Sequence, residues 1–159
     1  MKREQIQEYT LKIAQASRSG LVVITYDIIM REMENAREYE KEKKEAEMVK
    51  SLKSAQRFVN NLMGSLDYHY GISLELLSLY RYVNQMLVTA MMQKQTEGLS
   101  EAEDVLRKLR TAFEEVEKQD HSGAVMKNTQ HVVAGLTYGK GQLMETCVGK
   151  GEENRGIIA

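Results

Sequence analysis

Apolar side chains recur at spacings of three and four in four stretches of the chain. The first runs Val22, Tyr26, Ile29, Met33, Ala36 and the second Met48, Leu52, Ala55, Val59, Leu62, Leu66. The third is Leu76, Tyr80, Val83, Leu87, Ala90, and the fourth Ala102, Val105, Leu109, Ala112, Val116. Such spacing gathers each set on one face of an α-helix, whereas strand alternation fits none of them. Long amphipathic helices with short connections bury those faces best as an antiparallel bundle. The pattern predicts an all-α fold: an antiparallel four-helix bundle, preceded by a short N-terminal arm or helix and followed by an additional C-terminal helix.

Boundary signals differ from join to join. Gly98 ahead of Ser100 and Glu103 predicts a helix stop and then a capping box. Gly71 before Ser73 gives a similar stop and start. Residues 40–47 are nearly all Glu and Lys, with no breaker, so periodicity alone would allow one helix over 21–66. A turn near Lys41–Glu45 is expected because two such apolar faces must fold onto each other. Ile6, Tyr9 and Ile13 form an apolar edge on the arm. Val125 to Met144, with Val132, Val133 and Leu136, reads as a further helix weakened by Gly135, Gly139 and Gly141. The expected organisation is a bundle domain over 1–120, an extra helix packed on it over 121–148, and a flexible tail over 149–159.

Composition narrows the function classes. A chain of 159 residues is one domain by size and can bury roughly two-thirds of its unfolded surface. It has no proline, so no position lacks a backbone donor. A formal net charge of -1 gives no field for nucleic acid or an anionic membrane. No apolar run approaches the ~20 residues of a membrane span, and Met1 to Leu11 is too polar for a secretory signal. The single cysteine, Cys147, cannot form an internal disulfide. The cytosol is the expected compartment.

Catalytic and metal chemistries find little to stand on. A di-iron bundle needs Glu-x-x-His pairs, but Leu66, Lys118 and Asn128 stand three residues before His69, His121 and His131. No Cys/His cluster has zinc spacing. The glycines around Lys140 lack a preceding strand and a Lys-Ser/Thr ending, so they make no phosphate loop. His131, four residues before Gly135, is faintly similar to a phosphotransfer histidine, but Ala134 replaces the lysine expected beside that glycine. A surface or packing histidine is preferred. Arg107, Lys108 and Arg110 are answered by Glu101, Glu103, Asp104, Glu114 and Glu115, as on a solvated helix face. No cofactor, no metal and no enzyme activity is expected.

What remains is adaptable apolar surface. Ten methionines and eight tyrosines supply flexible and amphipathic contact groups. The third helical stretch is apolar most of the way round, because Leu74, Leu77, Leu79, Tyr82, Met86 and Met91 flank its core row. Such a helix is either central and covered, or lines a groove for a partner's amphipathic helix. The first stretch has a similar second face in Leu21, Ile24 and Ile28.

These residues carry a resemblance. Ala16-Ser17, Leu21-Val22 and Thr25-Tyr26-Asp27, then Ala55-Gln56 through Leu62 to Ser65-Leu66-Asp67-Tyr68, resemble in order two signatures of the FliS-type flagellar export chaperones. Leu79-Tyr80-x-Tyr82-x-Asn84-x-x-Leu87 with Ala90, and Leu106 to Phe113, are similar to two more. The likeness runs from about Tyr9 to Lys118. The chain departs from the pattern at Arg18, where proline is usual, and at Ser19-Gly20, where two glutamates are usual. It departs again at Gln85-Met86 in place of an arginine pair, and at Met91 in place of an asparagine. The resemblance implies a cytosolic bundle that clamps the disordered C-terminal segment of flagellin and keeps it from polymerising before export. On that reading Ile13, Ile24, Ile28, Leu79, Tyr82, Met86 and Met91 line the groove, with Tyr9 on the arm. Other flagellar export or regulatory proteins and a homodimer stay open as partners. A generic helical adaptor is the alternative.

Overall fold

The computed structural model describes residues 3–127, which form five α-helices. These are α1 (Arg3–Gln15), α2 (Arg18–Lys41), α3 (Glu45–Gly64), α4 (Ile72–Gln93) and α5 (Leu99–Lys118). Helices α2 to α5 make an antiparallel ring in which α2 neighbours α3 and α5, and α4 neighbours the same two from the opposite corner. Helix α1 packs on α2 alone. None of the described helices is long and apolar enough to cross a membrane.

The predicted rows on α2, α3 and α4 are the core. Tyr26, Ile29, Met33, Leu52, Val59, Val83 and Leu87 are fully buried and share one cluster. At the centre, the hydroxyls of Tyr26 and Tyr80 lie 2.5 Å apart across the ring diagonal. The Tyr26 ring also meets Phe113 edge-on, with centroids 5.7 Å apart. One hydroxyl donates to the other where no water reaches, and burial pushes both phenols well above the usual tyrosine range.

Helix α5 departs from the expected row. Its buried residues are Leu99, Ala102 and Leu106, while Val105 and Leu109 are only half-buried and Ala112 and Val116 are exposed. Two overlapping apolar rows run along this helix, and packing against α2 and α4 selects the other one. The expected capping box is also absent. Gly98 is the residue before the helix and no side chain caps it. Ser100 already lies inside the first turn, so its hydroxyl bonds the Glu97 carbonyl, and Glu103 is drawn instead to Arg37 at 2.6 Å. The Thr96 amide and hydroxyl are held by Glu40 from the end of α2.

The turn between α2 and α3 falls where folding demanded it, without glycine. Lys43 adopts a left-handed backbone (φ 58°). The Lys44 amide bonds the Tyr39 carbonyl at 2.8 Å and the Lys43 amide that of Glu40 at 2.9 Å, closing the helix end. Lys94 does the same after α4 (φ 56°), so that helix stops at Gln93, ahead of Gly98. Both positions strain a side chain that glycine would spare.

At the other end of the bundle, the chain after α5 turns back over the start of α2. Asp120 accepts bonds from the Ser19 amide and hydroxyl. Gly20 leaves room for Glu117, whose carboxylate oxygen would lie 2.5 Å from any Cβ there. Two carboxylates thus meet the positive end of α2. Asp120 is held well below the usual carboxylate range by its bonds to Ser122 and Ser19. A carboxyl depressed in the folded state stabilises above its unfolded value and loses that contribution as pH falls. Asp120→Ala should therefore lower the melting temperature at pH 7, and the gap to the parent should shrink once pH drops below about 4. Calorimetric melts at both pH values check this.

Residues 121–127 are irregular. The rest of the C-terminal helix expected to Met144 lies outside the described residues, as do His131, the Gly135–Gly141 segment and Cys147.

Candidate partner-binding surfaces

Of the eight residues expected in one groove, seven fall on two separate surfaces of the ring, and Met91 falls on neither. Tyr9, Ile13, Ile24 and Ile28 belong to the α1–α2 pair. There α1 folds back along α2, and the side-chain amides of Gln5 and Asn35 bond each other in both directions (3.4 and 3.2 Å). Ile28 and Ile24 lie two and three turns before Asn35 on the same helical face. Ile28 is 3% exposed although it stands outside the four-helix core, because α1 covers it. Tyr9 is buried in the same contact, and Ile13 and Ile24 are half-buried.

A depression of about 370 Å³ beside this contact is charged rather than apolar. Lys12, Arg31 and Arg37 alternate there with Glu8, Asp27, Glu34 and Glu103. Arg110 crosses from α5 to Asp27 at 2.5 Å. With Arg110 counted, cations and carboxylates balance, and several are paired with one another, so the depression carries no net charge.

Leu79, Tyr82 and Met86 sit together on the flank of α4 that faces α5. The Tyr82 hydroxyl donates to the Glu101 carboxylate at 2.9 Å, and that bond keeps the phenol protonated above its ordinary range. Met86 reaches the start of α5, its Cε atom within van der Waals range of a Cβ at Gly98. Along α5, steps of four, four, three and four from Glu101 reach Val105, Leu109, Ala112 and Val116. The spacing places them on the flank turned to Tyr82, with Val105 and Leu109 half-buried against the core and Ala112 and Val116 exposed. The α4–α5 pair is also the loosest of the four neighbouring pairs in the ring. An apolar seam results, with Leu79 36% and Val116 53% exposed. Tyr82, Met86, Val105 and Leu109 pack against the core with their inner sides, and Met91, which packs there too, lies on the other flank of α4.

Sequence periodicity did not isolate two further features. One is the entry to α4, where Tyr68 and Tyr70 of the preceding loop and Ile72 and Leu74 of the first turn are all exposed. The other is a groove between α2 and α3, about 380 Å³ in volume and mainly apolar, whose walls include Leu21, Val22, Phe58 and Leu62. Val22 and Leu62 read as core positions and Leu21 as part of a second face of its helix, while Phe58 lies off the apolar row of α3. Among the described residues no group of three or more His, Cys, Asp or Glu side chains is arranged to hold a metal ion.

A family model described as "Flagellar protein FliS" matches residues 1–120. The matched span takes in all five helices and ends at Asp120, which bonds Ser19 at the start of α2. No curated protein matches the chain.

Proposed function

The chain belongs to the FliS family of flagellar proteins, a family of export chaperones, and from that premise we propose that it binds the C-terminal segment of flagellin in the cytosol and holds it unassembled until export. The observation that carries the reading is the uncovered apolar seam of α4 and α5. Its two rows, Leu79–Tyr82–Met86 and Val105–Leu109–Ala112–Val116, have the spacing at which an amphipathic guest helix seats its own anchors. A segment that folds on binding pays roughly 2–5 kcal/mol of ordering free energy, which one small pocket does not supply and an extended seam does. Covering the guest's apolar face blocks the contacts it would make in a filament. Tyr9, Ile13, Ile24 and Ile28 contribute at the opposite corner only where the guest takes the place of α1 on α2. Residues 1–120 act as the chaperone domain in this scheme.

Titration calorimetry with synthetic peptides of the source cell's flagellin tests the proposal. The C-terminal peptide should bind saturably with a negative heat-capacity change, the mark of buried apolar surface. Equal heats from a scrambled peptide, or none at all, would return the chain to the role of a general helical adaptor.

A further inference from the structure

The outer face of α3 carries positive charge that the helix itself does not answer. Lys50, Lys53 and Arg57 follow at steps of three and four, a row about 10 Å long on the side away from Leu52, Ala55 and Val59. All three are exposed, and with Ser54 they line a depression of about 360 Å³. Glu47 is the one carboxylate within four residues of any of them along the chain. Among the described residues no ion pair reaches Lys50, Lys53 or Arg57, whereas Lys12, Arg31, Arg107 and Lys118 each hold a glutamate three or four residues away. Like charges at such spacings destabilise a helix. The row therefore works against α3 until carboxylates reach it from outside. Arg57 is also laid over the Phe58 ring, 5.4 Å from its centroid, which positions the guanidinium without neutralising it.

We infer that this row is a docking surface for an acidic helix of a partner protein, whose carboxylates, repeated every three or four residues, meet Lys50, Lys53 and Arg57. Shape and charge select that occupant. The row is one helix wide and two turns long, so a second helix matches its spacing along the whole length. A nucleic acid or an anionic membrane is a broad polyanion, and a net charge of -1 gives the chain no long-range attraction for either. A short acidic segment instead feels the three cations from within a Debye length, about 8 Å at physiological salt. Helix α3 stands diagonally across the ring from α5, so the row stays open while a guest lies on the α4–α5 seam. A cargo and a second protein can thus be held at once. The inference is independent of what fills the seam.

Fluorescence anisotropy with the full chain tests the docking surface. The probe is a labelled, alanine-based helical peptide of about 21 residues with glutamates at spacings of three and four, and its control has glutamine at those positions. The glutamate peptide should bind at least about tenfold more tightly than the glutamine peptide. The triple variant Lys50→Glu, Lys53→Glu, Arg57→Glu should lose that preference, and the milder Lys50→Gln, Lys53→Gln, Arg57→Gln should lose it too. A control of equal charge change, Lys108→Glu, Lys118→Glu, Lys127→Glu, reverses exposed lysines elsewhere and should keep it. Equal affinity of the parent for both peptides overturns the inference, as does equal loss in the two glutamate triples. An oligouridine or phosphatidylserine vesicles binding the parent more tightly than the glutamate peptide, through the same three residues, likewise overturn it.

Discussion

Tyr26→Ala is expected to lower the unfolding free energy by about 3–5 kcal/mol, the range for deleting a large buried aromatic side chain. The ring is fully buried, meets Phe113 edge-on and carries the hydroxyl that satisfies Tyr80. Small domains hold only about 5–15 kcal/mol in all, so the variant should be near the edge of folding at 37 °C. Tyr26→Phe separates the two contributions. It keeps the ring and orphans the Tyr80 hydroxyl, which costs about 1–3 kcal/mol. The pair also sets a pH dependence. Both phenols are raised in the folded state above their ordinary value of 10.0. The native chain thus keeps protons that the unfolded chain releases, and stability present below pH 10 declines as pH rises above it. Urea melts of the parent and of Tyr26→Phe between pH 8 and 11 should converge; parallel curves would show that the hydroxyl pair is not what titrates.

Leu79→Asp combined with Tyr82→Ala should weaken flagellin-peptide binding by at least about 2 kcal/mol, or about thirtyfold in Kd. The first substitution puts a charge in the middle of the α4–α5 seam, where a bound helix would strip its water. The second removes the largest ring of the seam. Leu79 is 36% exposed, and Tyr82 is half-buried with its hydroxyl bonded to Glu101 at the surface. Melting temperatures close to the parent's are therefore expected alongside the lost affinity. Unchanged affinity would move the binding face elsewhere, with the α1–α2 corner next in line. Ile28→Asp is no equivalent probe there, because Ile28 is buried and the charge would unsettle the packing of α1 before any ligand arrived.

The departures at Ser19-Gly20 acquire a local reason in the fold. Glu117 crowds Gly20, and Asp120 bonds Ser19. The two glutamates usual in the resembled pattern would place four carboxylates around one helix start. Here the acidic groups come from the end of α5 instead, and they tie the chain's exit to its α1–α2 turn. The replacement of an arginine pair by Gln85-Met86 has a consequence at Met86 alone, which adds apolar surface where α5 begins. Gln85 is exposed on the outer face, and nothing in the structure explains that substitution.

Local rules were enough to read three helices and their inward faces. On α2, α3 and α4 the spacing of Tyr26–Ile29–Met33, Leu52–Ala55–Val59 and Tyr80–Val83–Leu87 marks the row that the core buries, because a helix turns every 3.6 residues whatever packs on it. The same rules carried the α2–α3 turn only as a folding requirement, since Lys43 gives no signal of the left-handed backbone it adopts. They also carried a family likeness, spread over motifs in order. Tertiary structure alone decided which of two apolar rows α5 would bury, that α1 would cover Ile28, and that Leu79 and Ile24 would lie on opposite corners of the ring. Periodicity is a property of one helix, whereas burial belongs to a pair of helices and depends on the neighbour's shape and distance. The sequence determined how much apolar surface the protein owns; only the packed ring decided where the surplus came to rest.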